Sequence, residues 1–100
     1  MTSRAEGAAE PATVLIVDDE ARVLDALEAI LAAEFRVLRA PGGEAALEIV
    51  RAEDVAVIVT DYRMPGMTGV ELLRRSQEYV PDAVRTVSYT HLTLPTILRV

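Results

Sequence analysis

Cysteine, tryptophan and lysine are absent from the 100 residues, and phenylalanine and histidine occur once each. Without cysteine there is neither a disulfide framework nor a thiolate metal site. Without lysine, all ten basic residues are arginine. The lone histidine, His91, has no neighbour that would make it a catalytic base or a phosphorelay residue. No apolar run approaches a membrane span in length. Residues 1–12 are small, polar and alanine-rich, and read as a disordered lead-in without the apolar core of a signal peptide. A cytoplasmic location is therefore expected. The formal net charge of −6 argues against a nucleic-acid or anionic-membrane partner for this segment.

What remains is an ordinary globular balance, 51% apolar and 26% charged, with length for one domain and a modest core. Two runs dominate it. Val55 to Thr60 is a continuous, mostly β-branched stretch that stops at Asp61, and Thr13 to Val17 stops at Asp18-Asp19-Glu20. Apolar runs without alternation read as strands buried on both faces, which belong to parallel sheets. Val23, Leu24, Leu27, Ile30 and Leu31 repeat as one helical face, with Asp19 expected as N-cap and Glu20 in the first turn. Phe35 to Arg39, interrupted by Arg36 and Arg39, reads as the sheet edge. Pro41-Gly42-Gly43 breaks the chain before a short helix over Glu44 to Arg51 that buries Ala46, Leu47, Ile49 and Val50. A third helix follows Gly69, burying Val70, Leu72, Leu73 and Ser76 with Arg74 and Arg75 outward, and Ala83 to Val87 begins a fourth strand. Strand-helix units in this order give an α/β fold with a parallel sheet and right-handed crossovers.

In a doubly wound sheet of order 2-1-3, strands one and three are neighbours, and ligands bind beyond their carboxyl ends. Asp18, Asp19 and Asp61 should converge there. At ~5 Å and an effective dielectric of ~20, each like-charge pair costs roughly 3 kcal/mol. Such a cluster raises a pKa or holds a cation. Oxygen ligands alone select a hard ion, Mg²⁺ or Mn²⁺. Met64 and Met67 read as packing, since nothing nearby suits a soft metal.

VLIVDDE (Val14 to Glu20) and DYRMPGMTG (Asp61 to Gly69) resemble the receiver domain of bacterial two-component response regulators. The likeness covers about Thr13 to Val84 and implies a flavodoxin-like (CheY-like) doubly wound sheet. It implies phosphotransfer from a histidine kinase or phosphotransfer protein to Asp61. It also implies Mg²⁺ held by Asp19, Asp61 and the backbone carbonyl of Arg63, with Asp18 behind them. Met64, Pro65, Gly66 and Gly69 would shape the loop around the site. The acyl phosphate would bias a bistable surface, which is switching and not enzymatic turnover. An interaction-only pseudo-receiver, or a truncated fragment without function, is the alternative. A phosphohydrolase of the haloacid dehalogenase type lacks its second acid, because Arg63 stands where that acid is needed. A flavodoxin lacks its phosphate loop, because Asp18-Asp19-Glu20 would repel the phosphate.

Two departures stand out. The family's fourth strand ends in Thr or Ser, for which Ser88 and Thr90 are candidates, neither clearly in register. Its fifth strand ends in a lysine that this chain does not contain. The tail, residues 87–100, carries no acid. Val87 to Thr96 is similar to one translated frame of transposase-type adapter DNA. The expectation is a partial receiver over 13–86 followed by a non-native tail, with strand five, helix five and any output domain missing. The coding sequence at the genomic locus decides this.

Overall fold

The computed structural model describes residues 10–88 and the backbone of Thr96–Leu98; the expectations for 1–9, Thr90 and His91 lie outside the described residues. In chain order the elements are β1 (Thr13–Val17), α1 (Ala21–Leu31), β2 (Arg36–Ala40), α2 (Gly43–Ala52), β3 (Val57–Asp61), α3 (Gly69–Ser76), β4 (Val84–Ser88) and β5 (Thr96–Leu98). The sheet order is β2-β1-β3-β4-β5. The first four strands are mutually parallel, as the alternation of apolar runs and helical faces requires.

β1 is buried at all five positions because it has a neighbour on each edge and helices on both faces. One layer packs Leu15, Val17 and Ile58 against Ala46, Leu47 and Val50 of α2 and Leu72 and Leu73 of α3. The opposite layer is smaller: Val14 and Ile16 against Leu24 of α1, with Leu27, Leu31, Val57 and Val59 only half-buried. Burying a Leu or Ile side chain contributes roughly 1.5–3 kcal/mol, so the first layer carries most of the core.

The thin layer explains several differences from the sequence reading. β3 is not buried on both faces, since Val57 and Val59 look out over the side that α1 alone covers. Ile30, placed by periodicity on the apolar face of α1, is 71% exposed, and Val84 on the same side of the sheet is 54% exposed. The strand expected from Val55 begins two residues later and takes in Asp61 itself. Ile49 of α2 is half-buried. The β4 edge is paired over Arg85 to Val87 by the three-residue β5, which runs antiparallel and so is not the parallel fifth strand expected to be missing. The ladder between β3 and β4 continues unbroken through Val87 and Ser88.

Helix ends also differ in detail. The N-cap of α1 is Glu20 and not Asp19, with no side-chain cap, and no acid stands in its first turn. The carboxylate of Asp18 instead accepts the Glu20 N–H at 2.9 Å. Arg36 and Arg39 sit on the edge strand as expected, yet each is paired: Arg36 with Glu53, Arg39 with Asp25 and Glu28. Arg74 and Arg75 both reach Glu71.

Arg85 is the largest surprise of β4. In Val84-Arg85-Thr86-Val87 the arginine faces the core and is 3% exposed. Its guanidinium donates to the carbonyls of Val80 and Ala83, each at 2.6 Å, and through Nε to Ser76 Oγ at 3.2 Å. Burial pulls its pKa down, with Asp82 opposing. The side chain thereby stitches the end of α3 to β4, adding a second donor to the Val80 carbonyl, which also accepts the Ala83 N–H at 3.1 Å. Arg85→Ala should cost about 2–4 kcal/mol, read as a lower urea midpoint with unchanged slope. A midpoint within error of wild type would show these bonds to be dispensable.

Candidate functional site

β1 and β3 are adjacent and in register, Val17 beside Thr60, so the residues that follow, Asp18 and Asp61, leave the sheet side by side. One carboxylate oxygen from each of Asp18, Asp19 and Asp61 lies within 4.8 Å of the other two. Asp18 and Asp61 are 4% and 7% exposed, and Asp19 stands exposed at the mouth. The convergence expected from the two strand ends is present.

Each buried acid is held from its own backbone. Asp18 accepts the Glu20 N–H, and its own N–H donates to Ala40 C=O at 3.2 Å. Asp61 Oδ1 accepts the N–H of Tyr62 at 2.9 Å. Burial pushes the Asp18 carboxyl above its ordinary pKa; the Glu20 N–H opposes this, and repulsion from Asp61, Asp19 and Glu20 adds to it. The donor set is all oxygen, crowded and anionic, with an open side at Asp19. That suits a small hard cation that keeps part of its water shell.

The loop 62–68 is tethered at its base, where the Gly69 N–H donates to Tyr62 C=O at 2.9 Å. Met64 and Met67 are buried, as packing residues should be, and the Met64 sulfur accepts from Thr60 Oγ1 at 3.8 Å. Pro65 and Gly66 are exposed at the loop's tip, and Gly66 has φ +87°, a conformation that favours glycine. Arg63 is exposed, between Asp61 and the tip. Gly69 opens α3 against the site: a Cβ there would collide with the Asp61 carbonyl oxygen. Thr68 caps the helix by accepting the Glu71 N–H at 3.1 Å.

Of the two hydroxyl candidates, Ser88 lies within the described residues, at the end of β4. It is paired with Asp61 in the parallel ladder, and its carbonyl accepts the Tyr62 N–H at 3.0 Å. The signal was available in the chain: starting the fourth strand at Val84 gives it five residues, matching β3, and brings Ser88 level with Asp61. Beside these two residues a cavity of about 270 Å³ opens between α1 and the sheet, with Val23, Leu27, Val59 and Thr86 along its apolar walls.

Comparison with known proteins agrees with this geometry. The family model for the response regulator receiver domain matches residues 14–97. The hydrogenase transcriptional regulatory protein HoxA of Cupriavidus necator is 49% identical over 76 residues, which are 76% of this chain and 16% of that protein. The two-component response regulator ORR11 of Oryza sativa subsp. indica is 42% identical over 76 residues, covering 74% of this chain and 52% of its own length. A CheY-like response regulator receiver domain protein from Methanospirillum hungatei JF-1 superposes with a TM-score of 0.78 at 26% identity, over 85% of this chain and 69% of that one.

The raised pKa of Asp18 has a defined sign. Its folded pKa lies above its unfolded one, so ionisation costs the metal-free fold stability; the cost is absent below the unfolded pKa and complete once pH has risen through the folded one. Asp18→Asn should therefore raise the metal-free Tm near pH 7 and leave it unchanged near pH 3. Mg²⁺ should raise the Tm of wild type more than that of the variant. An equal Tm difference at both pH values would contradict the account.

Proposed function

The chain belongs to the response regulator receiver domain family, and on that premise we propose that Asp61 is its phosphoacceptor. The observation that carries the reading is the single cluster formed by Asp18, Asp19 and Asp61, with Ser88 level with Asp61 on the next strand. Among the described residues no helix is long and apolar enough to cross a membrane, in keeping with a cytoplasmic receiver.

In this reading a carboxylate oxygen of Asp61 attacks the phosphorus of a phosphohistidine on a kinase or phosphotransfer protein. The O–P bond forms, the P–N bond breaks, and the imidazole leaves with its electron pair. Oδ1 is engaged by the Tyr62 N–H, which leaves the other oxygen for the attack. Asp19, Asp61 and the carbonyl of Arg63 would hold Mg²⁺, with Asp18 behind them. When bound, that ion offsets the charge that accumulates between carboxylate and phosphoryl oxygens. Ser88 supplies a hydroxyl donor to the phosphoryl group from β4. Met64, Pro65, Gly66 and Gly69 keep the loop low enough for the donor to reach Asp61.

The output lies with a partner or with a longer protein. The chain spans 16% of the transcriptional regulatory protein it matches at 49% identity, which supports transcription as the response controlled. A pseudo-receiver that signals by contact alone is the second reading, kept in play because these 100 residues hold no lysine.

Incubation with acetyl phosphate and Mg²⁺ separates the two. A phosphoryl-sized mass gain, lost in Asp61→Asn and after chelation, is expected. Ser88→Ala should slow the gain about tenfold, the loss of one hydrogen bond to a charged group. A folded sample that gains no mass would favour the pseudo-receiver.

A further inference from the structure

The segment from the last residue of β2 to the first of α2 contributes no group to the acidic cluster, yet it touches Asp18 on one side and the loop that follows Asp61 on the other. On one side the Ala40 carbonyl accepts the N–H of Asp18. On the other, Gly43 lies beneath the side chain of Met67: a Cβ on Gly43 would stand 2.6 Å from Sδ, 2.9 Å from Cβ and 3.1 Å from Cγ of that methionine. Met67 is 7% exposed and belongs to the loop that carries Arg63.

The two adjacent glycines have different reasons to be there. Gly42 is extended, with φ −174°, and nothing lies within 4 Å of where its Cβ would be. Any residue could stand there. Gly43 is buried, and the space of its missing side chain is filled by Met67. Of two other anchors, Gly69 N–H to Tyr62 C=O closes the loop on itself, and Met64 to Thr60 ties it to its own strand. Met67 ties it across to α2.

We infer that Gly43 is a positioning residue for the acidic site. The seat it offers Met67 sets the height of the loop, and so where the Arg63 carbonyl stands relative to Asp18, Asp19 and Asp61. The inference rests on the phosphoacceptor reading above. A methyl group at Gly43 forces the Met67 side chain back, Sδ by about 1 Å and Cβ by about half as much, to reach ordinary contact distance. Mg²⁺ demands near-octahedral oxygens at about 2.0–2.1 Å, so even a part of that shift passed along the loop to the Arg63 carbonyl is felt as lost affinity.

Titration calorimetry of the full chain with Mg²⁺ alone tests it. Gly43→Ala should raise Kd about tenfold, as loss of a supporting residue around a metal does. Gly42→Ala should stay within about twofold of wild type, because its Cβ meets open space. In a Met67→Ala background, adding Gly43→Ala should change Kd no further, because the clash is gone. A Gly43→Ala protein with lowered Tm but wild-type Kd overturns the inference, as does an equal penalty in both backgrounds. Should Gly43→Ala not fold, Met67→Ala alone, which empties the seat without a clash, should still raise Kd several-fold, and an unchanged Kd overturns the inference. A wild-type chain that binds no Mg²⁺ overturns the phosphoacceptor reading itself, an outcome distinct from equal binding by wild type and Gly43→Ala.

Discussion

Two buried carboxylates stand side by side at the ends of adjacent strands, and much of the molecule follows from having to hold them there. Asp18 and Asp61 repel each other and are both removed from water, a combination that a fold tolerates only with rigid support. The support is the parallel pairing of β1 with β3, which neither side chain can move, and backbone N–H donors from Glu20 and Tyr62. The strain is electrostatic and local. A cation would relieve it, and a phosphoryl group on Asp61 would add negative charge to it, which is how such a site can serve as a switch.

The two faces of the sheet contribute unequally to that support. The layer formed with α2 and α3 is well filled and carries the loop over the site, through the Gly69, Met64 and Met67 contacts. The layer under α1 is thin, with Ile30 and Val84 left in water and an apolar cavity next to Asp61. Arg85 shows how the better-packed side is closed at β4: a charged group is accepted into the core because four backbone and side-chain oxygens surround it.

Much of the site was legible in the chain because it depends on strand ends. Unalternating apolar runs that stop at acids locate Asp18 and Asp61 without reference to anything distant, and parallel pairing brings them together. What depends on contacts across the fold was not legible. Periodicity placed Ile30 on the apolar face of α1, but whether that face is covered depends on what packs beside it. Nothing in the run Val84 to Val87 showed that Arg85 would share the inward face with Val87, because the carbonyls that receive its guanidinium, at Val80 and Ala83, come from the preceding turn. Gly43 read as half of a chain break, because its contact with Met67 joins residues 24 positions apart. Ser88 needed only a strand start shifted by one residue.

The decisive fact is which carboxylate receives the phosphoryl group. Borohydride converts an aspartyl phosphate to homoserine, and peptide mass mapping after acetyl phosphate, Mg²⁺ and reduction reads the position directly. Homoserine is expected at residue 61, with unmodified aspartate at 18 and 19. Modification at Asp18 or Asp19 in its place, or none in a folded and Mg²⁺-bound chain, would contradict it.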